Sequence, residues 1–257
     1  MALGCGPFQA WAQTPVPTQQ ITGNFYNNGT PVVVYLSAPD GNECTISVFD
    51  SVKKTILQLG TIQYWSKNNE FVVGRIRKDL PPVFGYVYDG AASADFWAYK
   101  FFMWDGTAFK LILDASSGVA GSPPDFEDLN HDETNELVFE NKNSKYDRPS
   151  DIFKWNDTKK VYEEASNQFP GFWEPLIQKE MAKLKAWKYS PNSRGPLGYC
   201  PVIANYLQKR GGNRDVADFL ALSDQQLQFL IEDKKNNYLH QRAVQMKKAI
   251  DQMLKID

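Results

Sequence analysis

The sequence contains few of the residues on which most catalytic sites depend. Only two histidines, His131 and His240, and three cysteines occur in 257 residues, and neither histidine has a nucleophile beside it. There is no P-loop, G-x-S-x-G, H-E-x-x-H or C-x-x-C motif, which argues against the enzyme classes that carry them. We therefore predict a protein that is not an enzyme. A hydrolase that needs only two loop carboxylates stays open, because the chain has thirty acidic residues.

An excess of basic residues and long apolar runs are also missing. Lys and Arg total 28 against 30 Asp and Glu, so the formal net charge is -2. Such a balance gives no basic surface for nucleic acid, which we exclude as a partner. No apolar run approaches the roughly 20 residues that a bilayer-spanning helix requires.

Residues 1–20 are predicted to be a signal-peptide remnant or a disordered tail. Ala10 and Ala12 form an A-x-A pattern typical of the cleavage end of a signal peptide, although the basic start and the apolar middle are missing. An alternative interpretation uses Ala2-Leu3-Gly4-Cys5, which resembles a bacterial lipobox. Export to the periplasm or the extracellular space is the prediction, with contact to a membrane only through a lipid anchor at Cys5.

The two other cysteines, Cys44 and Cys200, lie in different halves of the chain. An oxidising compartment would permit a disulfide between them. Two buried, unpaired thiols are the interpretation that we favour, because free cysteine is among the most buried residue types.

Residues 21–168 have the pattern of a β-rich domain. Short runs of Val, Ile, Phe, Tyr and Trp alternate with turn clusters such as NNG, PDG and WDG. Residues 95–104, DFWAYKFFMW, are apolar on both faces, which is typical of a strand in the middle of a sheet that is covered on both sides. This pattern predicts a sandwich or propeller-like arrangement.

The same region contains an internal repeat that aligns on its turns. Residues 102–107 (FMWDGT) match residues 153–158 (FKWNDT), and residues 48–51 (VFDS) form a fainter copy. The copies lie about 50 residues apart, roughly the size of a propeller blade. Three copies fall short of the roughly four blades that closure requires, so the predicted propeller is incomplete.

After Pro170 the apolar period becomes helical, and residues 169–257 are predicted to form a small helical domain. Residues 191–196 contain two prolines and a glycine, which predict the end of the first helix. The apolar stripes are explained by packing of helix against helix or sheet. A helix that binds a partner is the alternative.

Further signals divide the rest of this region. Pro201 suits the first turn of a second helix, and Gly211-Gly212 suits its end. Ser223 and Gln226 have the spacing of a capping box, which predicts the start of a long third helix. That helix is predicted to be interrupted at Asn236-Asn237.

One segment carries a pattern typical of a metal site. Residues 128–139, DLNHDETNELVF, place oxygen-bearing side chains at loop positions 1, 3, 5 and 9. Calcium takes six to eight oxygen ligands, and alternate residues of a tight loop can all point at one ion. We predict a calcium site whose ligands are the side chains of Asp128, Asn130 and Asp132, the Thr134 carbonyl and the Glu136 carboxylate. An EF-hand is excluded, because position 12 would be Phe139.

This spacing resembles the calcium loop of FG-GAP and VCBS-like propeller-type repeats, D-x-[DN]-x-D-G-x-x-[DE] followed by an apolar strand. The resemblance covers about a dozen residues, or residues 95–165 if the W-D-G hairpins are counted. It implies a calcium-dependent β-repeat protein of the bacterial envelope with the same five ligands. The sequence departs from the pattern at Glu133, where glycine is expected. A positive φ at a non-glycine residue costs roughly 1–2 kcal/mol.

Two classes of function remain. The first, which we favour, is an exported calcium-binding β-module that contacts a protein or a cell-wall component. FG-GAP-like folds resemble those of some periplasmic lysozyme inhibitors. The run Ser116-Ser117-Gly118 suggests an inhibitor of this kind, and ordinary turn chemistry is the alternative explanation for it. The second class is a hydrolase acting on glycan or peptide through loop carboxylates.

Overall fold

The computed structural model describes residues 19–37, 43–50, 52–53, 55–63, 70–89, 97–119, 124–139, 151–188, 195–232 and 236–254. These residues form three four-stranded antiparallel sheets followed by four α-helices. The prediction of a mainly β chain with a C-terminal helical part is confirmed. Within these ranges the strands close neither a barrel nor a propeller. The predicted signal pattern and Cys5 lie outside the described residues.

Each sheet is a meander of four consecutive strands, in which every strand pairs with its neighbour in the sequence. The first sheet contains β1 (Gln19–Gly23), β2 (Val32–Leu36), β3 (Glu43–Asp50) and β4 (Thr55–Gln63). The second contains β5 (Glu70–Gly74), β6 (Val83–Asp89), β7 (Trp97–Trp104) and β8 (Phe109–Val119). The third contains β9 (Asp125–Glu127), β10 (Glu136–Phe139), β11 (Asp151–Asn156) and β12 (Val161–Glu164).

The hairpin between the third and fourth strands is closed by the same turn in every sheet. Oδ1 of Asp105 accepts hydrogen bonds from the amides two and three residues later, both at 2.8 Å. Oδ1 of Asp50 and Oδ1 of Asn156 each accept the same two bonds at 2.9 and 3.0 Å respectively. These are the three positions of the predicted repeat. The sheets are therefore structural copies of one unit.

The second sheet lies between two hydrophobic clusters. One cluster joins it to the first sheet through residues such as Val34, Phe84 and Phe102. The other joins it to the third sheet and includes Phe101 and Phe139. Strand β7 is thus covered on both faces, as predicted, and each large apolar side chain buried there contributes about 1.5–3 kcal/mol.

Four helices and a short 3-10 helix (Ser166–Gln168) follow the sheets: α1 (Pro170–Ala186), α2 (Gly195–Arg210), α3 (Val216–Glu232) and α4 (Asn237–Met253). Their cluster also takes in Ile152 and Ala165, so the helices pack on the third sheet. None of the helices in the described ranges has the length and apolar character that spanning a membrane requires.

Two predicted helix boundaries are wrong. Helix α2 begins at Gly195, so Pro201 lies inside it rather than in its first turn. Ser223 lies in the middle of α3, where its Oγ donates to the Leu220 carbonyl at 3.0 Å instead of capping. The apolar stripe of α3 starts earlier, at the buried Val216. The predicted break before α4 is confirmed, because Oδ1 of Asn236 accepts from the Leu239 amide at 3.2 Å.

Cys44 and Cys200 are free thiols. Cys44 is buried in the cluster between the first and second sheets, and Cys200 is buried in the helical cluster. Burial raises the pKa of both thiols, that of Cys200 to about 12. The interpretation as two buried, unpaired cysteines is confirmed, and the alternative disulfide is not formed.

Candidate cation-binding loop

The predicted calcium segment joins the first two strands of the third sheet. Residues 128–135, which we call the third loop, connect β9 to β10, and Glu127 pairs with Glu136 across the base of the hairpin. The buried strand Glu136–Phe139 holds one end of the loop in the core. Four of the five predicted ligands therefore lie on a connecting loop, and Glu136 is the first residue of the buried strand that follows it.

Carboxylates close the third loop by accepting backbone hydrogen bonds. Oδ1 of Asp128 accepts from the Asp132 amide and Oδ2 from the Glu133 amide, both at 3.0 Å. Oδ1 of Asp132 accepts from the Thr134 amide at 2.9 Å. Such bonds between an Asp side chain and a later backbone amide stabilise a tight turn. These bonds hold the Asp128 and Asp132 carboxylates against the loop backbone.

The loop also requires left-handed backbone at two residues. His131 has φ of 61° and Glu133 has φ of 63°. Glu133 is the position at which the FG-GAP pattern has glycine, and the conformation there is the one that glycine adopts most readily. Glu133 therefore adopts a left-handed conformation that costs a non-glycine residue about 1–2 kcal/mol.

Glu136 is the most unusual residue of the site. Its side chain is fully buried, at 0% exposure. Oε2 accepts a hydrogen bond from the Leu129 amide at 3.0 Å, whereas Oε1 receives none from any group in the described part of the chain. Burial raises the pKa of this carboxyl above its ordinary value, and the Leu129 amide offsets only part of that effect. A buried carboxylate oxygen without a donor is costly.

Asp132 and Asn130 are exposed and are engaged with their neighbours. Oδ2 of Asp132 accepts from Nδ2 of Asn130 at 2.9 Å and lies 3.4 Å from Nζ of Lys154. Desolvation raises the pKa of Asp132. These contacts and the Thr134 amide lower it by a larger amount, so the pKa lies below its ordinary value. Across the described ranges, no three or more His, Cys, Asp and Glu side chains form a group that could hold a metal ion.

The third loop contacts the connection between β5 and β6, the third sheet and the helices. The Asn135 amide donates to the Ile76 carbonyl at 2.7 Å, and Nδ2 of Asn135 donates to the Arg75 carbonyl at 2.8 Å. The Tyr162 hydroxyl donates to the Asn135 carbonyl at 2.9 Å. Leu129 packs against the helical cluster. The loop therefore joins the second sheet, the third sheet and the helices.

Residues 24–31, the first loop, join β1 to β2 and repeat these hydrogen bonds. Oδ1 of Asn24 accepts from the amides of Asn28 and Gly29, both at 3.1 Å, and the Thr30 amide donates to Oδ1 of Asn28 at 2.9 Å. The same loop positions are connected in the third loop. The first loop is thus held by amides where the third loop is held by carboxylates.

The backbone of the first loop follows the third loop as well. Asn27 has φ of 56° and Gly29 has φ of 85°, which match the two left-handed positions of the third loop. Gly23 pairs with Val32 at the base of the hairpin, so the fully buried Val32 stands where the third sheet has Glu136. We did not predict this correspondence from the sequence, although the spacing of Asn24, Asn28 and Thr30 is a signal for it.

Residues 75–82, the second loop, have the same length and lack the Asx hydrogen bonds. Gly74 pairs with Val83, which is also fully buried. The Arg77 guanidinium donates to Asp79 at 2.8 Å and to Asp157 at 2.8 Å. The Arg77 side chain lowers the pKa of Asp157 to about 2. This ion pair joins the second sheet to the third.

The other sequence signals do not add to the site. Ser116-Ser117-Gly118 lie within β8 rather than in a loop. His131 is exposed in the third loop, and Nδ1 of His240 lies 2.6 Å from the Ile231 carbonyl. Comparison of the chain with protein-family models, with curated proteins and with solved structures finds no match.

Proposed function

We propose that this chain is an exported calcium-binding β-module that contacts a protein or a cell-wall component and has no catalytic role. The observation that carries the proposal is the buried Glu136 carboxylate, whose Oε1 receives no hydrogen bond from the described residues. Buried charges in proteins are normally paired or coordinate a metal. A cation at the third loop would supply the missing partner.

The two copies of the unit sharpen this argument. Val32 and Val83 occupy the position of Glu136 in the first and second sheets, and all three residues are fully buried. The fold therefore does not need a carboxylate at this position. Placing one there costs free energy unless a positive ligand offsets it.

The donor set fits a hard cation. Asp128, Asn130, Asp132 and Glu136 offer side-chain oxygens, and Thr134 offers its carbonyl, which matches the preference of calcium for oxygen ligands. Bound calcium would supply charge neutralisation and would cross-link the ends of the loop. Oδ2 of Asp132 would have to exchange its contacts with Asn130 and Lys154 for the cation.

Binding at this loop would stiffen more than the loop itself. Asn135 donates to the Arg75 and Ile76 carbonyls in the second loop, and Leu129 packs on the helical cluster. A cation that fixes residues 128–136 therefore holds the second sheet, the third sheet and the helices together. A surface stiffened in this way suits a binding module, because preorganisation lowers the cost of association.

The three meanders with one shared turn support an incomplete propeller-like arrangement. Each has four consecutive antiparallel strands, as in a propeller blade, and the candidate loop joins the first two strands of its sheet. The FG-GAP-like pattern of residues 128–136 agrees with this proposal. The proposal includes export to the periplasm or the extracellular space, with or without a lipid anchor. Calcium sites of extracellular modules have Kd values of about 0.1–1 mM, which suits such a location.

Thermal unfolding in calcium and in EDTA tests the proposal. Calcium at about 100 times its Kd is expected to stabilise the fold by about 2.7 kcal/mol, which corresponds to a rise in Tm of about 5–10 °C. Asp128→Ala combined with Asp132→Ala is expected to abolish the rise. Magnesium at the same ionic strength is expected to produce a smaller rise, because it demands octahedral geometry.

The first loop provides the matched control. Asn24→Ala combined with Asn28→Ala removes the same turn hydrogen bonds from the first sheet. That variant is expected to melt at a lower temperature and to keep the full response to calcium. Identical melting curves of the unaltered chain in calcium and in EDTA would refute the proposal.

A further inference from the structure

A cavity of about 760 Å³ opens where segments of all three sheets meet. Tyr26 of the first loop and Leu80 of the second loop line it, together with Trp104 and Leu111 of the second sheet and Val161 of the third. Sites for small ligands usually enclose about 300–1,000 Å³ and have mainly apolar walls with a few polar groups. The cavity shares no residue with the candidate cation site.

The polar groups of the cavity carry charges of both signs. Asp79 and Asp105 line it together with Lys110, Lys159 and Lys160. The Ala108 and Thr107 amides lower the pKa of Asp105 to about 2, and Arg77 lowers the pKa of Asp79, so both are ionised at neutral pH. Three ammonium groups and two carboxylates thus surround an apolar interior.

This combination disfavours two ligand classes. The two ionised carboxylates offset most of the charge of the three ammonium groups, so the cavity offers little net attraction to a phosphate or another anion. A hydrocarbon chain would have to desolvate five charged groups, which is costly even though each is paired within the protein. The ligand that fits has an apolar face for the aromatic walls and neutral hydroxyl groups at its edges.

We propose that this cavity binds a short neutral oligosaccharide. The C–H face of a sugar ring would lie against Trp104 and Tyr26, while its hydroxyl groups would donate to Asp79 and Asp105 and accept from the lysines. Trp104 contacts Tyr26 at 4.6 Å between ring centroids and Phe109 at 5.1 Å, so the aromatic wall is fixed before a ligand arrives. Rigid aromatic side chains provide contact area at little entropic cost.

The first loop contributes to this cavity through a change at one position. Tyr26 occupies the loop position that Asn130 occupies in the third loop, two residues after Asn24 and Asp128 respectively. An aromatic residue that lines the cavity thus replaces a predicted cation ligand. The two loops of the same shape serve different ligands in this proposal.

Isothermal titration of the full chain with chitotetraose, cellotetraose and maltotetraose tests the proposal, with tryptophan fluorescence as a second signal. At least one tetrasaccharide is expected to bind with Kd below about 10 mM. Leu111→Asp introduces a hydrated charge at a residue that is already 43% exposed, so the fold should tolerate it. This variant is expected to raise Kd by at least about tenfold.

Val73→Asp is the control, because Val73 is 52% exposed on β5 and does not line the cavity. It is expected to leave Kd unchanged. Trp104→Phe is a second variant that keeps an aromatic ring and is expected to weaken binding by about threefold. A melting curve of each variant verifies that it is folded.

Three outcomes would overturn the proposal. The first is no heat and no fluorescence change with any tetrasaccharide up to about 10 mM. The second is equal loss of binding in Leu111→Asp and Val73→Asp. The third is binding of a tetra-alanine peptide in the absence of sugar binding. Asp128→Ala with Asp132→Ala is expected to retain sugar binding, which separates this test from the calcium experiment.

Discussion

The first loop and the third loop fold through the same three hydrogen bonds, although amides close one and carboxylates close the other. In the first loop the side chains of Asn24 and Asn28 accept hydrogen bonds from backbone amides. In the third loop Asp128 and Asp132 accept the bonds from the corresponding amides. Both loops have eight residues, two left-handed positions and the same pairing at their base. The backbone shape is therefore independent of charge.

The difference between the loops lies in what each offers to a ligand. The first loop has no carboxylate among its turn acceptors, and the residue that follows it, Val32, is apolar and fully buried. Nothing in this arrangement requires a cation. A loop with two aspartates followed by the buried Glu136 concentrates negative charge that nothing in the turn requires. Because the two loops share one conformation, the turn itself does not require the charge of the third loop, and the proposed cation site rests on that charge.

The largest effect is expected from giving the first loop the donors of the third. Asn24→Asp, Asn28→Asp and Val32→Glu together place a carboxylate in a fully buried position among apolar neighbours. Without a cation this is expected to destabilise the fold by about 3–5 kcal/mol, because an unpaired buried charge is left uncompensated. Calcium is expected to restore part of that loss, as measured by urea unfolding with and without EDTA.

Val32→Glu alone is the control for this experiment. It carries the destabilising charge without the two aspartates, so its response to calcium is expected to be much smaller than that of the triple variant. A folded triple variant with no calcium response would show that loop shape and donors do not suffice. The replacement of amides by carboxylates would then not explain cation binding by the third loop.

The next largest effect is expected from the reverse change, Glu136→Val. It gives the third sheet the residue that the first and second sheets have at this position. Calcium stabilisation of about 2.7 kcal/mol at 100 times Kd is expected to disappear. In EDTA the variant is expected to stay within about 1 kcal/mol of the parent, because the lost acceptor for the Leu129 amide offsets the relief of the buried charge.

Glu127→Gln is the matched control for Glu136→Val. Glu127 lies opposite Glu136 in the hairpin and is exposed, so it changes the charge by the same amount without touching the buried position. It is expected to keep the calcium response. If Glu127→Gln and Glu136→Val reduce the response equally, general negative charge rather than a specific site attracts the cation.

The β-rich region, the helical region and the repeated turn could be predicted from the sequence because they rest on local signals. Alternation of apolar residues marks strands, and an Asp or Asn that accepts two backbone amides marks the turn at positions 50, 105 and 156. The five proposed ligands were likewise inferred from their spacing, and their role as ligands stays a prediction. Helix starts at Gly195 and Val216 were missed, since burial extends both helices beyond their Pro and Ser signals.

The correspondence of the loops and the cavity could not be predicted, because both depend on contacts that are distant in sequence. Asn24 and Asp128 become comparable only when the pairing of Gly23 with Val32 and of Glu127 with Glu136 is known. The full burial of Glu136 is likewise a property of the folded chain that the spacing of the loop residues does not reveal. The cavity gathers residues from positions 26 to 161, which no sequence window contains.

The smallest expected effect concerns the turn that all three sheets share. Asp105 and Asn156 close identical turns, and of these two residues only Asp105 has a charge that protonation removes. The Ala108 and Thr107 amides lower the pKa of Asp105 to about 2, whereas an unfolded chain has an Asp pKa of about 3.9. The stabilisation from this difference is therefore complete above about pH 4 and is lost as the pH falls through about 2. Asp105→Asn keeps an oxygen that accepts the same two bonds but removes the charge, so its Tm at neutral pH is expected to lie slightly below that of the parent. The parent is expected to lose more of its Tm than the variant between about pH 5 and pH 2.

Equal acid sensitivity of the two proteins, with the Asp105 carboxyl titrating near 3.9 by NMR, would show that the turn in the second sheet does not depend on charge.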